Sequence, residues 1–269
     1  MSIQKKTKSY RALRSKRGDY ETGSLEFIRE EPLLIRIEDK EYAVVMRTPG
    51  EELFHAAGLC LGEGIVDSPD DFESIGYNED QDPNLIDISL KPERCKKIQN
   101  LLERRRFVSQ TSCGICGKQM IRDLHQIVTP IESDFDVKID RIFDCINTLS
   151  EKQTHYQTTR GSHAALIFSD QLEVISFAED VGRHNALDKA IGKAFMERKL
   201  FNARLLVLSS RISYELVQKA ARAQLPIIIS ESRPTALAVE IGNTLNMTLA
   251  FSYDKSELVI VCGENRIKR

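Results

Sequence analysis

Two periods alternate along the chain. Leu33 to Ile37 and Tyr42 to Met46 are short apolar runs joined by Glu38, Asp39 and Lys40, the pattern of a hairpin. Leu53, Phe54, Ala57 and Leu61 then recur at helical spacing. Thr48, Pro49 and Glu51 ahead of them read as N-cap, first-turn proline and capping-box acid, and Gly62 and Gly64 close the helix. Asn84 to Leu90 alternates like a half-buried strand, and Pro92 opens a charged helix through Arg106. This ββαβα unit predicts a small α+β domain over residues 20–108.

Beyond it, Ile139, Ile142, Phe143, Ile146 and Leu149 mark a helix, and His163 to Phe168 with Glu173 to Phe177 a hairpin. There follow a helix (Leu187 to Phe195), a strand (Leu205 to Leu208), a helix (Ile212 to Ala223), a strand (Ile227 to Ile229), a helix from Pro234 and two closing strands. Fully apolar strands between amphipathic helices predict a three-layer α/β domain over 109–269, its sheet covered on both faces with parallel strands in right-handed crossovers. Such sheets bind ligands at the carboxyl ends of their strands, here the loops Glu179 to Asn185, Ser209 to Arg211 and Ser230 to Pro234.

Composition narrows the function classes. A charge balance of 38 Lys and Arg against 40 Asp and Glu, net −2, gives no global pull toward nucleic acid or an anionic membrane. No apolar run approaches the roughly 20 residues needed to span a bilayer. Lys5, Lys6, Lys8, Arg11, Arg14, Lys16 and Arg17 precede the first acid, Asp19, and read as a flexible basic arm over residues 1–19. Cys60, Cys95, Cys145 and Cys262 each fit an apolar face as small hydrophobes, so a reducing, cytoplasmic setting is expected.

The remaining thiols form the strongest chemical signal. In Thr111-Ser112-Cys113-Gly114-Ile115-Cys116-Gly117 the glycines permit a tight turn and leave sulfur and amide groups exposed, which suits a reactive thiolate and sulfur relay. A zinc knuckle wants two further ligands at like spacing, a thioredoxin-type pair wants a clear strand before it, and a zinc deaminase wants an H-x-E that no histidine here supplies. The run Glu179 to Lys189 places Arg183 and His184 at a helix start. It reads either as an anion site or as a capped helix in which Asp180 satisfies backbone donors while Arg183 and Asp188 pair on the surface. Arg211 at a strand end would meet a phosphate or pair with Glu215, and His163 reads as a structural histidine.

Together these segments resemble the formate dehydrogenase accessory sulfurtransferase family, FdhD. The resemblance covers Glu31 to Leu33, Met46 to Gly50, Gly62 to Ile65, Ser112 to Gly117, Glu179 to Lys189 and Ser230 to Val239; the C-G-x-C-G loop followed by E-D-V-G-R-H-N-A-L-D-K is its most specific part. It implies a sulfur carrier that takes sulfane sulfur from a cysteine desulfurase as a persulfide on Cys113, helped by Cys116. The acceptor would be a bis(molybdopterin guanine dinucleotide) molybdenum cofactor bound before its insertion into formate dehydrogenase, with no structural metal in the protein. Phe251, Ser252, Tyr253, Asp254, Lys255 and Ser256 would contact the nucleotide portion, with Arg183, His184 and Arg211 as further cofactor contacts, on a cytidine-deaminase-like domain in a homodimer. A non-catalytic cofactor chaperone and a thiol redox protein are the alternatives. The chain departs from the family pattern at Arg160 and Ser210, both usual glycines, and at Ala250 and Tyr253 in a usual G-F-x-R, where the lost arginine removes a phosphate partner.

Overall fold

A computed structural model describes residues 6–77, 82–105, 128–254 and 256–269. The chain opens with a ribbon of β1 (Thr7–Lys16) and β2 (Asp19–Ile28), then β3 (Glu31–Ile37), β4 (Lys40–Arg47), helix α1 (Glu52–Gly62), β5 (Phe72–Tyr77), β6 (Leu85–Leu90) and α2 (Pro92–Arg105). After β7 (Val137–Lys138) come α3 (Ile139–Lys152), α4 (Thr154–Thr159), β8 (His163–Ser169), β9 (Val174–Asp180) and α5 (Arg183–Met196). The last elements are β10 (Ala203–Leu208), α6 (Tyr214–Arg222), β11 (Ile227–Ser230), α7 (Ala236–Thr244), β12 (Thr248–Phe251), β13 (Val259–Cys262) and β14 (Ile267–Lys268).

The first sheet has the order β4-β3-β6-β5, and its β3–β4 turn runs through Glu38 and Asp39, both with positive φ as a two-residue hairpin turn requires. The sequence pattern passes over β5 because, as an edge strand, it buries only Phe72. The second sheet has the order β13-β12-β11-β10-β8-β9. It is mixed: β10, β11 and β12 are parallel as expected, while β8, β9 and β13 run antiparallel to their neighbours. Successive residues of its strands alternate between two cores. Leu205, Val207, Ile227 and Ile229 face Ile142, Ile146 and Leu149 of α3, whereas Leu206, Leu208 and Ile228 face α5, α6 and α7.

The expected flexible arm is corrected from Thr7 onward. Thr7–Lys16 pairs residue by residue with Asp19–Ile28 about a turn at Arg17 and Gly18, both with positive φ. The arm looked unpaired because its neutralising acids lie on the returning strand, where Glu21 faces Arg14 and Asp19 faces Lys16. Tyr10 and Phe27 add an edge-to-face ring contact at 5.8 Å.

The two sheets share one core. Helix α1 crosses α5 where both present glycine, Gly58 against the Asp188 carbonyl and Gly192 against Phe54, so that Ala56, Ala57, Ala190 and Ile191 join a single buried cluster. The expected domain boundary at 108/109 lies outside the described residues. A Cβ at Gly192 would stand 1.8 Å from the Phe54 carbonyl oxygen, closer than any contact permits. Gly192→Ala is therefore expected to cost about 3 kcal/mol of stability, read as a lowered midpoint in denaturant unfolding; a variant as stable as the wild type would show that the crossing accommodates a methyl group.

Candidate functional site

The mixed topology brings four loop origins to one edge of the second sheet: the ends of β9, β10, β11 and β12, with the start of β8 among them. His163 pairs with Asp180 across β8 and β9, and the Ser209 N–H donates to the Ala164 carbonyl while the Ser209 hydroxyl accepts from the Ala164 N–H at 2.8 Å. The three loops picked out on sequence thus lie along one rim, and the end of β12 adds Phe251 to Asp254.

Beneath the rim, buried charge clasps the two halves together. The Asp180 carboxylate accepts from Lys189 Nζ at 2.7 Å, from the Thr48 N–H at 3.0 Å, and from the Gly182 N–H and Asn185 Nδ2 at 2.9 Å each. Thr48 is engaged three ways, since its hydroxyl also accepts from the Val181 N–H at 3.0 Å and its carbonyl from Lys189 Nζ at 2.7 Å. Asn185 Nδ2 donates to the Met46 carbonyl at 2.7 Å. Thr48 therefore does not cap α1 as its sequence position implied: that helix begins after Glu51 in a left-handed conformation with no side-chain cap, because Asp180 and Val181 claim the threonine. Burial lowers the Lys189 pKa against the pull of Asp180.

The Glu179 to Lys189 run divides between these two levels. Glu179 is buried and accepts from the N–H groups of His155 and Tyr156 and the Ser162 hydroxyl, all at 2.9 Å, which fixes the start of α4. Asp188 pairs not with Arg183 but with Lys219 of α6, at 2.7 and 2.9 Å, inside the core. Arg183 and His184 lie half-exposed at the rim. Of the capped-helix reading, Asp180 does accept from a backbone N–H, that of Gly182, but the expected Arg183–Asp188 surface pair does not form.

The rim gathers Arg183, His184 and Arg211, with Glu215 as the carboxylate among them. Arg183 opens α5, whose N-terminus has no side-chain cap, and its Nε is buried without a hydrogen-bond partner. Its pKa is lowered by burial and then by the charge of Arg211. His163 is held below its ordinary value by burial, then by Arg183, Arg211 and His184. Arg211 forms no ion pair among the described residues; Glu215, its expected partner, instead holds His184 Nε2 at 2.7 Å, a contact that lowers the Glu215 pKa. Ser213 Oγ lies 3.4 Å from the same nitrogen.

At the end of β12, Phe251 and Ser252 are buried, the Ser252 N–H donates to the Ser230 carbonyl at 2.9 Å, and Tyr253 is exposed. Asp254 spends its carboxylate on the Ser256 N–H and hydroxyl at 3.0 and 2.8 Å, so it closes its own loop. Cys113, Cys116 and Lys255 lie outside the described residues. Cys60, Cys145 and Cys262 are buried free thiols and Cys95 is partly buried; burial raises all four, Cys145 to about 12, which leaves them unreactive. Arg160, in place of a usual glycine, takes φ 55° as α4 ends and stacks its guanidinium 5.2 Å from the Tyr156 ring. Sequence reading missed Arg233, which lies over the Phe251 and Tyr253 rings, since nothing local marks a cross-strand contact. No helix among the described residues is long and apolar enough to cross a membrane.

The comparisons with known proteins converge. The model of the FdhD/NarQ family matches residues 28–268. A sulfur carrier protein FdhD from Streptomyces coelicolor is 31% identical, with 97% of this chain and 95% of that protein covered; one from Sulfolobus acidocaldarius is 37% identical over 86% and 87%. A crystal structure from Desulfotalea psychrophila, of a protein described as a formate dehydrogenase accessory protein, superposes with a TM-score of 0.78 over 97% of this chain and 99% of that one at 19% identity, a likeness of fold.

Two outcomes test the buried charge. Lys189→Met leaves Asp180 uncompensated in the core and is expected to destabilise the protein by about 3–5 kcal/mol, largely restored by a second change, Asp180→Asn, in chemical denaturation. His55 is fully buried and is held well below its ordinary pKa by burial and then by Lys189, Lys219 and Arg47, with a side-chain contact from Asn185 opposing them. As the pH falls through about 6.5 the unfolded chain takes up a proton that folded His55 refuses, so stability declines from neutral pH downward. In thermal unfolding between pH 7.5 and 5.5, His55→Leu should show a shallower decline than the wild type.

Proposed function

The chain belongs to the FdhD/NarQ family, and on that premise we propose that it carries sulfane sulfur on Cys113 from a cysteine desulfurase to a molybdenum cofactor destined for formate dehydrogenase. The observation that carries the acceptor half of this reading is the rim itself: Arg183 with a buried, unpartnered Nε, and Arg211 without an ion pair, at the carboxyl ends of the sheet strands. A buried guanidinium N–H without an acceptor is costly unless a ligand supplies one. The phosphates of a bis(molybdopterin guanine dinucleotide) substrate have that chemistry, with the end of β12 receiving its guanine nucleotide.

The donor half rests on the Cys113 loop. The Cys113 thiolate attacks the outer sulfur of a desulfurase persulfide; a new S–S bond forms at Cys113 and the desulfurase cysteine leaves as a thiolate. In the second transfer the Cys116 thiolate attacks Cys113 Sγ, the outer sulfur departs as sulfide toward molybdenum, and the two cysteines close a disulfide that a thiol reductant reopens. The two electrons gained by the departing sulfur are those the cysteine pair gives up. His184, held by Glu215, stands on the rim to orient the anionic substrate. We place the reaction in the cytoplasm, on a homodimer whose larger half has cytidine-deaminase-like layering.

Incubation with a cysteine desulfurase and cysteine is expected to add about 32 Da, one sulfur atom, to the peptide holding Cys113 in intact-mass and peptide mapping. Cys113→Ala should carry no adduct and should abolish formate dehydrogenase maturation. An unmodified Cys113 with stoichiometric zinc, or full maturation by the Cys113→Ala variant, would overturn the carrier role.

A further inference from the structure

The ribbon of β1 and β2 forms a sheet of its own. Its base is fixed to the body: the Arg29 N–H donates to the Lys6 carbonyl at 2.9 Å, Lys6 Nζ lies 3.8 Å from the Glu51 carboxylate, and β2 packs against α4, with the Ile28 side chain close against Gly161. From that base each ten-residue strand extends about 30 Å. Every residue of β1 from Lys8 to Lys16 is exposed except Ala12, which is half-buried. A hairpin of two strands is marginal by itself in water, and a long exposed edge is a template for a further strand.

The turn decides which backbone groups that edge presents. Arg17 and Gly18 make a two-residue turn with positive φ at both positions, so Lys16 and Asp19 are a hydrogen-bonded pair. The register then makes Arg14 with Glu21, Ala12 with Gly23, Tyr10 with Leu25 and Lys8 with Phe27 hydrogen-bonded pairs in turn, and the Lys6–Arg29 bond keeps the same phase. The N–H and carbonyl groups of Ser9, Arg11, Leu13 and Ser15 therefore point away from β2, toward a side of β1 where no strand pairs among the described residues.

The side chains along this edge are basic and apolar. β1 carries Lys8, Arg11, Arg14 and Lys16 and no acid. Glu21 and Asp19 stand opposite Arg14 and Lys16, but Phe27 stands opposite Lys8 and Ser24 opposite Arg11. None of the four cations makes an ion pair among the described residues, and Lys8 lies over the Tyr10 ring at 5.0 Å. Lys8, Arg14 and Lys16 share one face with Tyr10 and Phe27; Arg11 shares the other with Leu13 and Tyr20, which are 66% and 70% exposed.

We propose that the free edge of β1 is a docking site for an extended acidic segment of a partner protein, which adds to the ribbon as a third strand. An extended chain sends successive side chains to opposite faces, so one segment meets both sets at once: carboxylates beside Lys8, Arg14 and Lys16 on one face, apolar side chains over Leu13 and Tyr20 on the other. The charge pattern disfavours the other occupants of such an edge. The β1 of a second copy brings like charges against like, and a nucleic-acid backbone laid on the face with three cations meets Asp19 and Glu21 there. The inference stands apart from the sulfur-carrier reading and shares no residue with it.

The test is fluorescence anisotropy of the full chain with a labelled peptide that alternates Glu with Val and matches β1 in length, set against the same peptide with Lys for Glu and against an oligothymidylate. The Glu peptide should bind, more weakly as salt rises, and the Lys peptide should not. Lys8→Gln combined with Arg14→Gln should weaken the Glu peptide about three- to tenfold. Leu13→Pro removes an outward N–H from the edge and should bind about three- to tenfold more weakly than Leu13→Ala, which keeps it; attraction between side-chain charges alone would leave the two variants equal. These positions are exposed, and circular dichroism checks that each variant keeps the fold. No binding of the Glu peptide, or equal binding of the Lys peptide, would overturn the proposal. Tighter binding of the oligothymidylate would assign the ribbon to nucleic acid instead, and self-association in sedimentation that Leu13→Pro abolishes would assign the edge to a second copy.

Discussion

The buried contact of Asp180 with Lys189 and Thr48 is the constraint on which the remaining geometry depends. Two full charges removed from water are tolerable only when every lone pair and proton finds a partner. Asp180 meets that condition with ligands from both halves of the chain: Lys189, Gly182 and Asn185 from its own side and the Thr48 N–H from the other. A rearrangement of one half against the other would strand a carboxylate or an ammonium in the core. The glycine crossing of α1 and α5 allows the approach, and the ion pair makes any other approach costly.

That clasp lies directly below the rim, and the two are built from one stretch of chain. Between Asp180 and Lys189 the backbone leaves β9, turns at Gly182 and enters α5, so inward residues lock the halves while Arg183 and His184 emerge at the surface. Glu179 on one flank and the Asp188–Lys219 pair on the other hold α4 and α6 to the same frame. Rigid support of this kind fixes where the side chains of the turn emerge.

Around the clasp, charge is compensated differently at the two levels. In the core, Asp180, Lys189, Asp188 and Lys219 are matched within hydrogen-bond distance. On the rim, Arg183, Arg211 and Arg233 are not, and Arg183 is depressed by burial and by Arg211 in a way that an arriving anion would relieve. The imbalance is local, in a chain whose overall net charge is only −2.

Local order was written plainly in the residues. Alternation and helical spacing marked the hairpin at Leu33 to Met46, the helices from Leu53 and Ile139, and the apolar strands of the second sheet, because burial of a face leaves a periodic trace. The carboxyl-end loops were legible as well, and with them Arg183, His184 and Arg211. What required the tertiary structure was every relation between distant segments: that Thr48 serves Asp180 rather than α1, that Glu215 holds His184 rather than Arg211, that acids on β2 neutralise the basic β1, and that Arg233 rests on Tyr253. A side chain's partner depends on which strand ends become neighbours, and sheet order is set by packing of whole layers, which no short window of sequence records.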